Sequence, residues 1–220
     1  MLNLIQEKYP NAHIHTMSRS GCDRQNPQIT SHKVDLLDEQ SIEFAATQIA
    51  DPLDLIFVAT GLLHSREIKP EKAIRDFSAE NFDHLFKINT IGPALIAKHF
   101  LPRLNRKSRS ILAALSARVG SIEDNRLGGW TSYRASKAAL NMVIKNASIE
   151  LARKNKHAIV VGLHPGTVDS GMSKPFQQNV PEGKLFSPRF ASEKLLSVIE
   201  NLDVGQSGGL FDWRNEPIPF

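Results

Sequence analysis

Short, almost entirely apolar runs alternate with longer segments of helical periodicity, and this alternation constrains the fold more than any other feature of the chain. Apolar runs of this length are typical of strands that are buried on both faces of a parallel sheet. Less apolar segments bounded by turn residues predict further strands. Together, the predicted strands are residues 12–19, 29–36, 54–60, 109–116, 157–165 and 208–213.

Helical spacing of apolar residues fills the intervals between these strands. Ser78 is a candidate N-cap for a long helix that starts at residue 79. The predicted helices are residues 38–50, 79–105, 131–154 and 187–201. Alternating strands and helices predict an α/β fold, a doubly wound, mostly parallel sheet with helices on both faces. No linker or repeat divides the chain, so residues 1–220 are expected to form a single domain.

Composition excludes several classes of protein. The formal charge of +4 is mildly basic, but no aromatic residue interleaves the densest basic run, residues 103–109, so nucleic-acid binding is not expected. No apolar run has the length of a membrane span, and no His or Cys spacing predicts a metal site. The single cysteine, Cys22, cannot form an internal disulfide, which favours a cytoplasmic protein.

Tyr133 and Lys137 are four residues apart at the start of the predicted helix 131–154. Residues at this spacing share a helix face, and a nearby ammonium favours the phenolate and lowers the pKa of a tyrosine. The pair therefore predicts a proton donor or acceptor near neutral pH. A packed tyrosine ring beside a solvated lysine explains the spacing equally well when the pair is considered alone.

The position of this pair relative to the predicted strands favours a functional site. Gly61, Ser116 and the dipeptide Pro165-Gly166 stand at the ends of predicted strands, and Tyr133 lies just beyond the loop that follows one of these strands. Ligands of open α/β sheets bind outside the carboxyl ends of the strands. We therefore expect the site at this edge of the sheet.

Five motifs occur in one order along the chain: "VATG" (58–61), "KINTIGP" (87–93), "LSARVGSI" (115–122), "YRASK" (133–137) and "HPGTVDSGMSKPF" (164–176). With them the chain resembles the short-chain dehydrogenase/reductase family, and within it the branch of the C-factor-like proteins and the sniffer-type carbonyl reductases. The resemblance implies an oxidoreductase that transfers hydride between NADP(H) and a carbonyl compound or a secondary alcohol. It also implies a homodimer or tetramer, because the family pairs the helix that follows Tyr133 with that of a partner subunit.

The resemblance also assigns catalytic roles. Tyr133 would be the general acid or base, Lys137 would lower the pKa of Tyr133 and bind the nicotinamide ribose, and Asn89 would hold a water in the proton relay. The family's carbonyl-polarising serine corresponds to Ala117, so Ser116 or Ser121 would have to replace its hydroxyl.

Cofactor contacts follow in the same way. The segment Pro165, Gly166 and Thr167 matches the loop beside the nicotinamide, Gly61 keeps a backbone role, and Asp35 matches the acidic residue near the adenine. Arg19 could bind a 2′-phosphate through two hydrogen bonds, which favours NADP(H) over NAD(H).

The chain departs from the family most strongly at its beginning. The family's first strand and its Gly-rich G-x-x-x-G-x-G loop have no counterpart among these residues, and Val58 replaces a usual asparagine. Weak cofactor binding is therefore expected of the chain as written. Two explanations stay open, a start at an internal Met and a true short form. The short form suggests an alternative function, an inactive member that acts through protein contacts, as in C-factor-like signalling.

Overall fold

The computed structural model describes residues 1–21 and 26–220, so Cys22 lies outside the described residues. The helices are α1 (Leu2–Lys8), α2 (Glu39–Thr47), α3 (Ala79–Phe86), α4 (Gly92–Phe100), α5 (Thr131–Lys154) and α6 (Pro188–Asn201). The strands are β1 (Ile14–Ser18), β2 (Ile29–Lys33), β3 (Leu55–Val58), β4 (Ser110–Leu115), β5 (Ala158–His164), β6 (Thr167–Val168), β7 (Leu185–Phe186) and β8 (Leu210–Asp212). Each predicted strand is present with shorter ends, and the predicted α/β class is confirmed.

The paired strands run parallel and form separate groups. β3, β4, β5 and β8 form one sheet in that order, with Ser110 of β4 opposite Ala158 of β5. β1 pairs with β2, and the two-residue strands β6 and β7 form a further separate pair. Among the described strands, β1 has no partner besides β2 and β3 has none besides β4.

Side chains alternate between the two faces of the main sheet and build two apolar layers. Leu112 and Ala114 of β4 belong to the layer formed with α2, α4 and α5. Ile111 and Ala113 of the same strand belong to the layer formed with α6. This alternation follows from the two-residue period of a strand and explains why β4 and β5 are apolar throughout.

The predicted helix over residues 79–105 is interrupted, which corrects the expectation of one continuous helix. A π-helical segment, Lys87–Ile91, joins α3 to α4, and the Gly92 N–H donates to the carbonyl oxygen of Lys87, five residues back. Pro93 follows at once and has no N–H to donate to the Asn89 carbonyl. π-Helical segments occur frequently at functional sites. This one carries Asn89.

The long helix α5 begins and ends where the sequence predicts, at residues 131 and 154. Its buried face contacts β5, and its first turns lie over the carboxyl end of β4. None of the helices formed by the described residues is both long and apolar enough to span a membrane.

Candidate active site

The carboxyl ends of β3 and β4 bring Gly61, Asn89 and Lys137 together. A methyl group placed on Gly61 would lie 3.3 Å from Lys137 Nζ and 3.5 Å from Asn89 Oδ1. The three residues come from different elements, and the glycine leaves room between the two polar side chains. The predicted edge of the sheet is therefore where these side chains meet.

Tyr133 and Lys137 are both buried on the first turns of α5. Tyr133 is 8% exposed, and Lys137 Nζ lies 6.0 Å from the centroid of its ring. Lys137 Nζ donates to the carbonyl oxygen of Leu115, the last residue of β4, over 2.8 Å. Burial of both residues excludes the alternative of a solvated lysine beside a packed ring.

Burial dominates the pKa values of this pair. It raises the pKa of Tyr133 to about 12 and lowers the pKa of Lys137 to about 8. The expectation that Lys137 lowers the pKa of Tyr133 is therefore not met in this structure, because loss of hydration outweighs the attraction of the ammonium. Tyr133 carries its proton at neutral pH, which suits a proton donor.

Asn89 is fully buried and fixes the loop that follows β3. Its Oδ1 accepts from the Leu62 N–H at 2.7 Å, and its Nδ2 donates to the Leu62 carbonyl oxygen at 2.8 Å. The same Nδ2 donates to Ser136 Oγ at 3.0 Å, and the Ser136 hydroxyl donates to the carbonyl oxygen of Tyr133 at 2.7 Å. A chain of hydrogen bonds thus links the π-helical segment to the first turn of α5.

The structure does not bring Ser116 or Ser121 to Tyr133. Ala117 packs against the Tyr133 side chain in one apolar cluster. The Ser116 hydroxyl donates to Asn141 Oδ1 at 2.6 Å, and Ser121 Oγ accepts from the Asp124 N–H at 3.0 Å. Neighbouring side chains of an extended segment point to opposite sides, so the hydroxyl of Ser116 is directed away from the methyl group of Ala117.

The segment Pro165–Thr167 follows β5 and borders a cavity. Gly166 has a φ of 75°, and a methyl group there would lie 2.6 Å from the Phe186 ring, so only glycine fits. Gly166 and Thr167 line a cavity of about 390 Å³. Its walls also contain Arg118, His164, Lys184, Phe186, Asp212, Trp213, Arg214, Glu216 and Pro217.

Arg19 and Asp35 meet at a second cavity, beside the carboxyl ends of β1 and β2. This cavity has a volume of about 240 Å³, and its other lining residues are Lys33, Asp38 and Ser41. Asp35 Oδ1 accepts from the Leu37 N–H at 3.0 Å. The structure thus places Arg19 and Asp35, the two residues predicted from the sequence, in one cavity. The cavity also contains a second cation, Lys33, which the sequence did not predict.

Apolar side chains surround Tyr133. The rings of Trp130 and Phe176 are in tilted contact, with their centroids 4.8 Å apart, and both pack against the cluster that contains Tyr133. Leu63 and Ile68, from the loop after β3, complete this wall. Phe176 lies in the segment that follows the Pro165–Thr167 loop, so two separate loops shape the space near the tyrosine.

Two further features were missed by sequence reasoning. Glu71 is buried against the start of α5, and Asp212 is buried beside Arg118 and Arg214. The contacts of Glu71 with the start of α5 and of Asp212 with Arg118 join residues that are far apart in the sequence, so no local pattern predicts them. Within the described part of the chain, no group of three or more His, Cys, Asp and Glu side chains is arranged to hold a metal ion.

The chain is similar to known proteins over most of its length. The family model of the short chain dehydrogenases matches residues 11–181. The C-signal protein of Myxococcus xanthus is 32% identical over 148 residues, which cover 67% of this chain and 84% of that protein.

Two solved carbonyl reductases have the same fold as this chain. The carbonyl reductase Sniffer of D. melanogaster has a TM-score of 0.79 at 21% identity, covering 94% of this chain and 88% of that one. The NADPH-bound carbonyl reductase from chicken fatty liver has a TM-score of 0.80 at 22% identity, covering 100% and 92%. The family match includes the edge that carries Asn89, Tyr133 and Lys137, and the chain therefore belongs to the short-chain dehydrogenase family of oxidoreductases.

Proposed function

We propose that this protein reduces a carbonyl compound, or oxidises the corresponding secondary alcohol, with NADP(H) as its hydride cofactor. The observation that carries the proposal is the buried pair of Tyr133 and Lys137 beside Gly61 and Asn89. Buried ionisable groups that converge at the carboxyl ends of parallel strands are typical of an active site.

Tyr133 is the proposed general acid. Its pKa of about 12 keeps the hydroxyl protonated at neutral pH, so it can donate a proton to a carbonyl oxygen. In the reverse direction the phenolate would take the proton of the alcohol. The bound cofactor supplies or accepts the hydride.

Lys137 and Asn89 are proposed to support this proton transfer. Lys137 is 6.0 Å from the centre of the tyrosine ring, and its ammonium stabilises the phenolate that forms when the proton leaves. Its Nζ has donors to spare beyond the Leu115 carbonyl, and these would contact the nicotinamide ribose. Asn89 Oδ1 accepts from Leu62 and keeps a second lone pair, on which a relay water would bind.

Carbonyl polarisation is assigned to Tyr133 alone. Ala117 offers no donor beside it, and the Ser116 hydroxyl is engaged with Asn141, where it supports the packing of α5. Loss of one donor to a developing oxyanion typically costs roughly 10² to 10³ in rate. We therefore expect a slow enzyme, and we expect Ala117→Ser to accelerate it.

The preference for NADP(H) is proposed from the cavity at Arg19. Two cations, Arg19 and Lys33, line it, and within the described residues neither takes part in an ion pair. The two carboxylates of the cavity, Asp35 and Asp38, accept backbone N–H groups instead. Among the described residues, an added phosphate would therefore meet positive charge that no ion pair neutralises, and a guanidinium can bind it through two hydrogen bonds.

The residues of this chain fit the two ends of such a cofactor better than its centre. Gly61 and Lys137, together with the Pro165–Thr167 loop, would bind the nicotinamide end, and Arg19 would bind the adenine end. The 220 residues contain no G-x-x-x-G-x-G loop for the pyrophosphate. Weak binding by this chain stays a prediction.

Trp130 and Phe176 suggest the class of carbonyl compound. Their rings are in contact and form an apolar wall beside Tyr133. We propose an apolar aldehyde or ketone, with aromatic compounds preferred because rings pack well on rings.

Titration with NADPH and NADH, followed by nicotinamide fluorescence, tests the cofactor. Turnover of aromatic and aliphatic aldehydes, followed by NADPH consumption, tests the reaction. The proposal requires tighter binding of NADPH than of NADH and measurable consumption that depends on the aldehyde. Absence of both binding and turnover would instead support the alternative, an inactive member acting through protein contacts. The assembled Tyr133, Lys137 and Asn89 do not favour that alternative.

A homodimer or tetramer is proposed from the surface of α5. Met142 and Ile149 are exposed on this helix, although the opposite side of the helix is buried. Exposed apolar side chains on a long helix suit contact with a second copy. Sedimentation of the wild-type chain and a Met142→Glu Ile149→Glu variant tests this point, and a monomeric wild-type chain would contradict it.

A further inference from the structure

Glu71 is a buried acidic residue in the loop between β3 and α3, and it is attached to the start of the catalytic helix α5. Glu71 is 2% exposed. The Trp130 N–H donates to the Glu71 carbonyl oxygen at 2.6 Å, and the Ser132 N–H donates to Glu71 Oε2 at 3.3 Å. Main chain and side chain of one residue thus hold the first turn of a helix that lies about 60 residues further along the chain.

This attachment replaces the cap that α5 lacks. Trp130, at the N-cap position, has a φ of 51° and makes no side-chain hydrogen bond to the first turn, and that turn contains no acidic residue. The first N–H groups of a helix need acceptors, and a negative charge there is favoured by the helix dipole. The carboxylate of Glu71 supplies both from a distant part of the sequence.

Stability alone does not account for an acidic residue at this position. Glu71 Oε1 and Ser132 Oγ are buried, and neither has a hydrogen-bond partner in the described part of the chain. Leaving buried polar atoms unpaired lowers the stability of the folded state. Tyr133 immediately follows Ser132, so the unusual cap lies one residue from the proposed general acid.

We propose that Glu71 is a positioning residue for Tyr133, which it fixes by holding the first turn of α5 while opposing the positive end of the helix dipole. The proposal rests on the proposed function of Tyr133. The positive end of a helix favours an anion, so it would favour the phenolate of Tyr133. A carboxylate at that end works against this preference and keeps the hydroxyl protonated, as a proton donor requires.

Several other charged or titratable groups lie on the elements around Tyr133. Lys137 and Arg134 belong to α5 itself, and Arg134 donates to the carbonyl oxygens of Gly129 and Val119 near the helix start. Arg118 follows Ala117, and His64 packs against Phe176. Lys137, Arg134 and Arg118 are cations that favour the phenolate, and Glu71 is the buried carboxylate that opposes them.

A direct test uses the small number of tyrosines. The chain has two, Tyr9 and Tyr133, so in a Tyr9→Phe background the ultraviolet titration of tyrosinate reports Tyr133 alone. In that background, Glu71→Gln should lower the titration midpoint of Tyr133 by about 0.3 to 1 pH unit. The matched control is Glu67→Gln, an exposed carboxylate in the same loop, which should leave the midpoint unchanged.

An unchanged midpoint in Glu71→Gln, with the helix content of the parent by circular dichroism, would overturn the proposal. The titration of Tyr133 does not require turnover, so its result decides the proposal even if the proposed reaction is wrong.

A second variant keeps the proposal testable if Glu71→Gln does not fold. Glu71→Asp retains the charge but shortens the reach, so kcat should fall several-fold while KM stays near the value of the parent. An unchanged kcat in a folded Glu71→Asp chain would contradict the positioning role.

Discussion

The two regions predicted to bind opposite ends of the cofactor differ in how firmly they are built. Tyr133, Lys137 and Asn89 are all buried, and hydrogen bonds link the three elements that carry or contact them. Around Arg19 the strands β1 and β2 are partly exposed and pair only with each other among the described strands. The proposed chemistry therefore lies on a preformed core, whereas the proposed phosphate site depends on exposed charges.

The largest effect is expected for Asn89→Ala, in the buried region around Tyr133, Lys137 and Asn89. The substitution removes the partners of the Leu62 N–H, the Leu62 carbonyl and Ser136 Oγ, and each unpaired buried group costs about 1–3 kcal/mol. We expect the free energy of unfolding to fall by about 3 kcal/mol and turnover to be lost. Urea denaturation measures the first effect. Asn146→Ala, an exposed position on α5, is the control and should change stability little.

Lys137→Met should change stability in the opposite direction. Burial lowers the pKa of Lys137 to about 8, so below that pH its charge is held in the folded state at a cost. The difference from its ordinary pKa of 10.5 corresponds to about 3 kcal/mol, and loss of the hydrogen bond to Leu115 offsets about 1 kcal/mol.

We therefore expect the Lys137→Met chain to be about 2 kcal/mol more stable at pH 7 and to lose at least about 100-fold in turnover. With rising pH, the wild-type chain should gain stability between about pH 8 and 10.5, because the unfolded state then binds the extra proton. Denaturation of both chains at several pH values measures the difference in stability at pH 7 and the gain in stability with rising pH. A variant that is less stable than the wild type at pH 7 would show that Lys137 is not held at a cost.

The sequence predicts the helices and strands around Tyr133 better than the pKa values and buried contacts of this region. The alternation of short apolar runs with segments of helical periodicity predicted the strands and α5. The four-residue spacing of Tyr133 and Lys137 predicted that the two residues form a pair. The pattern could not show that burial would outweigh the ammonium in setting the pKa of Tyr133, because burial depends on packing from Leu63 and Ile68. The π-helical segment had one local signal, Pro93, whereas Glu71 had none.

Arg19→Ala tests the exposed region, where a smaller effect is expected. One guanidinium bound to a phosphate contributes about 1.4 kcal/mol here, so affinity for NADPH should fall about tenfold while affinity for NADH stays the same. Fluorescence titration with both cofactors measures the difference. Arg153→Ala, exposed at the far end of α5, is the control. Equal losses for both cofactors would show that Arg19 does not recognise the 2′-phosphate.

The smallest effect is expected in the pH dependence of the β1–β2 pair. His15 and His32 are hydrogen-bonded at 2.9 Å, and partial burial lowers the pKa of both. His13 lies beside His15, and the charge of Asp51 acts in the opposite direction.

Well above their ordinary pKa of 6.5, His15 and His32 are neutral in both the folded and the unfolded state. As the pH falls, the unfolded state takes up protons first, so stability falls with acidification. Comparing Tm at about pH 7.5 and about pH 5.5 measures this loss. His15→Gln should reduce the loss, and the exposed His84→Gln should not. The same loss in His15→Gln as in the wild type would place the sensitivity elsewhere.

Aldehyde-dependent oxidation of NADPH by the wild-type chain, Tyr133→Phe and Tyr9→Phe tests the central claim most directly. Tyr9 is the other tyrosine of the chain and lies on the surface, so its variant controls for the loss of a phenol. A general acid typically contributes about 10²- to 10⁴-fold. The account predicts a loss in that range for Tyr133→Phe, with NADPH affinity and fold retained and Tyr9→Phe fully active. Full turnover by Tyr133→Phe would contradict it.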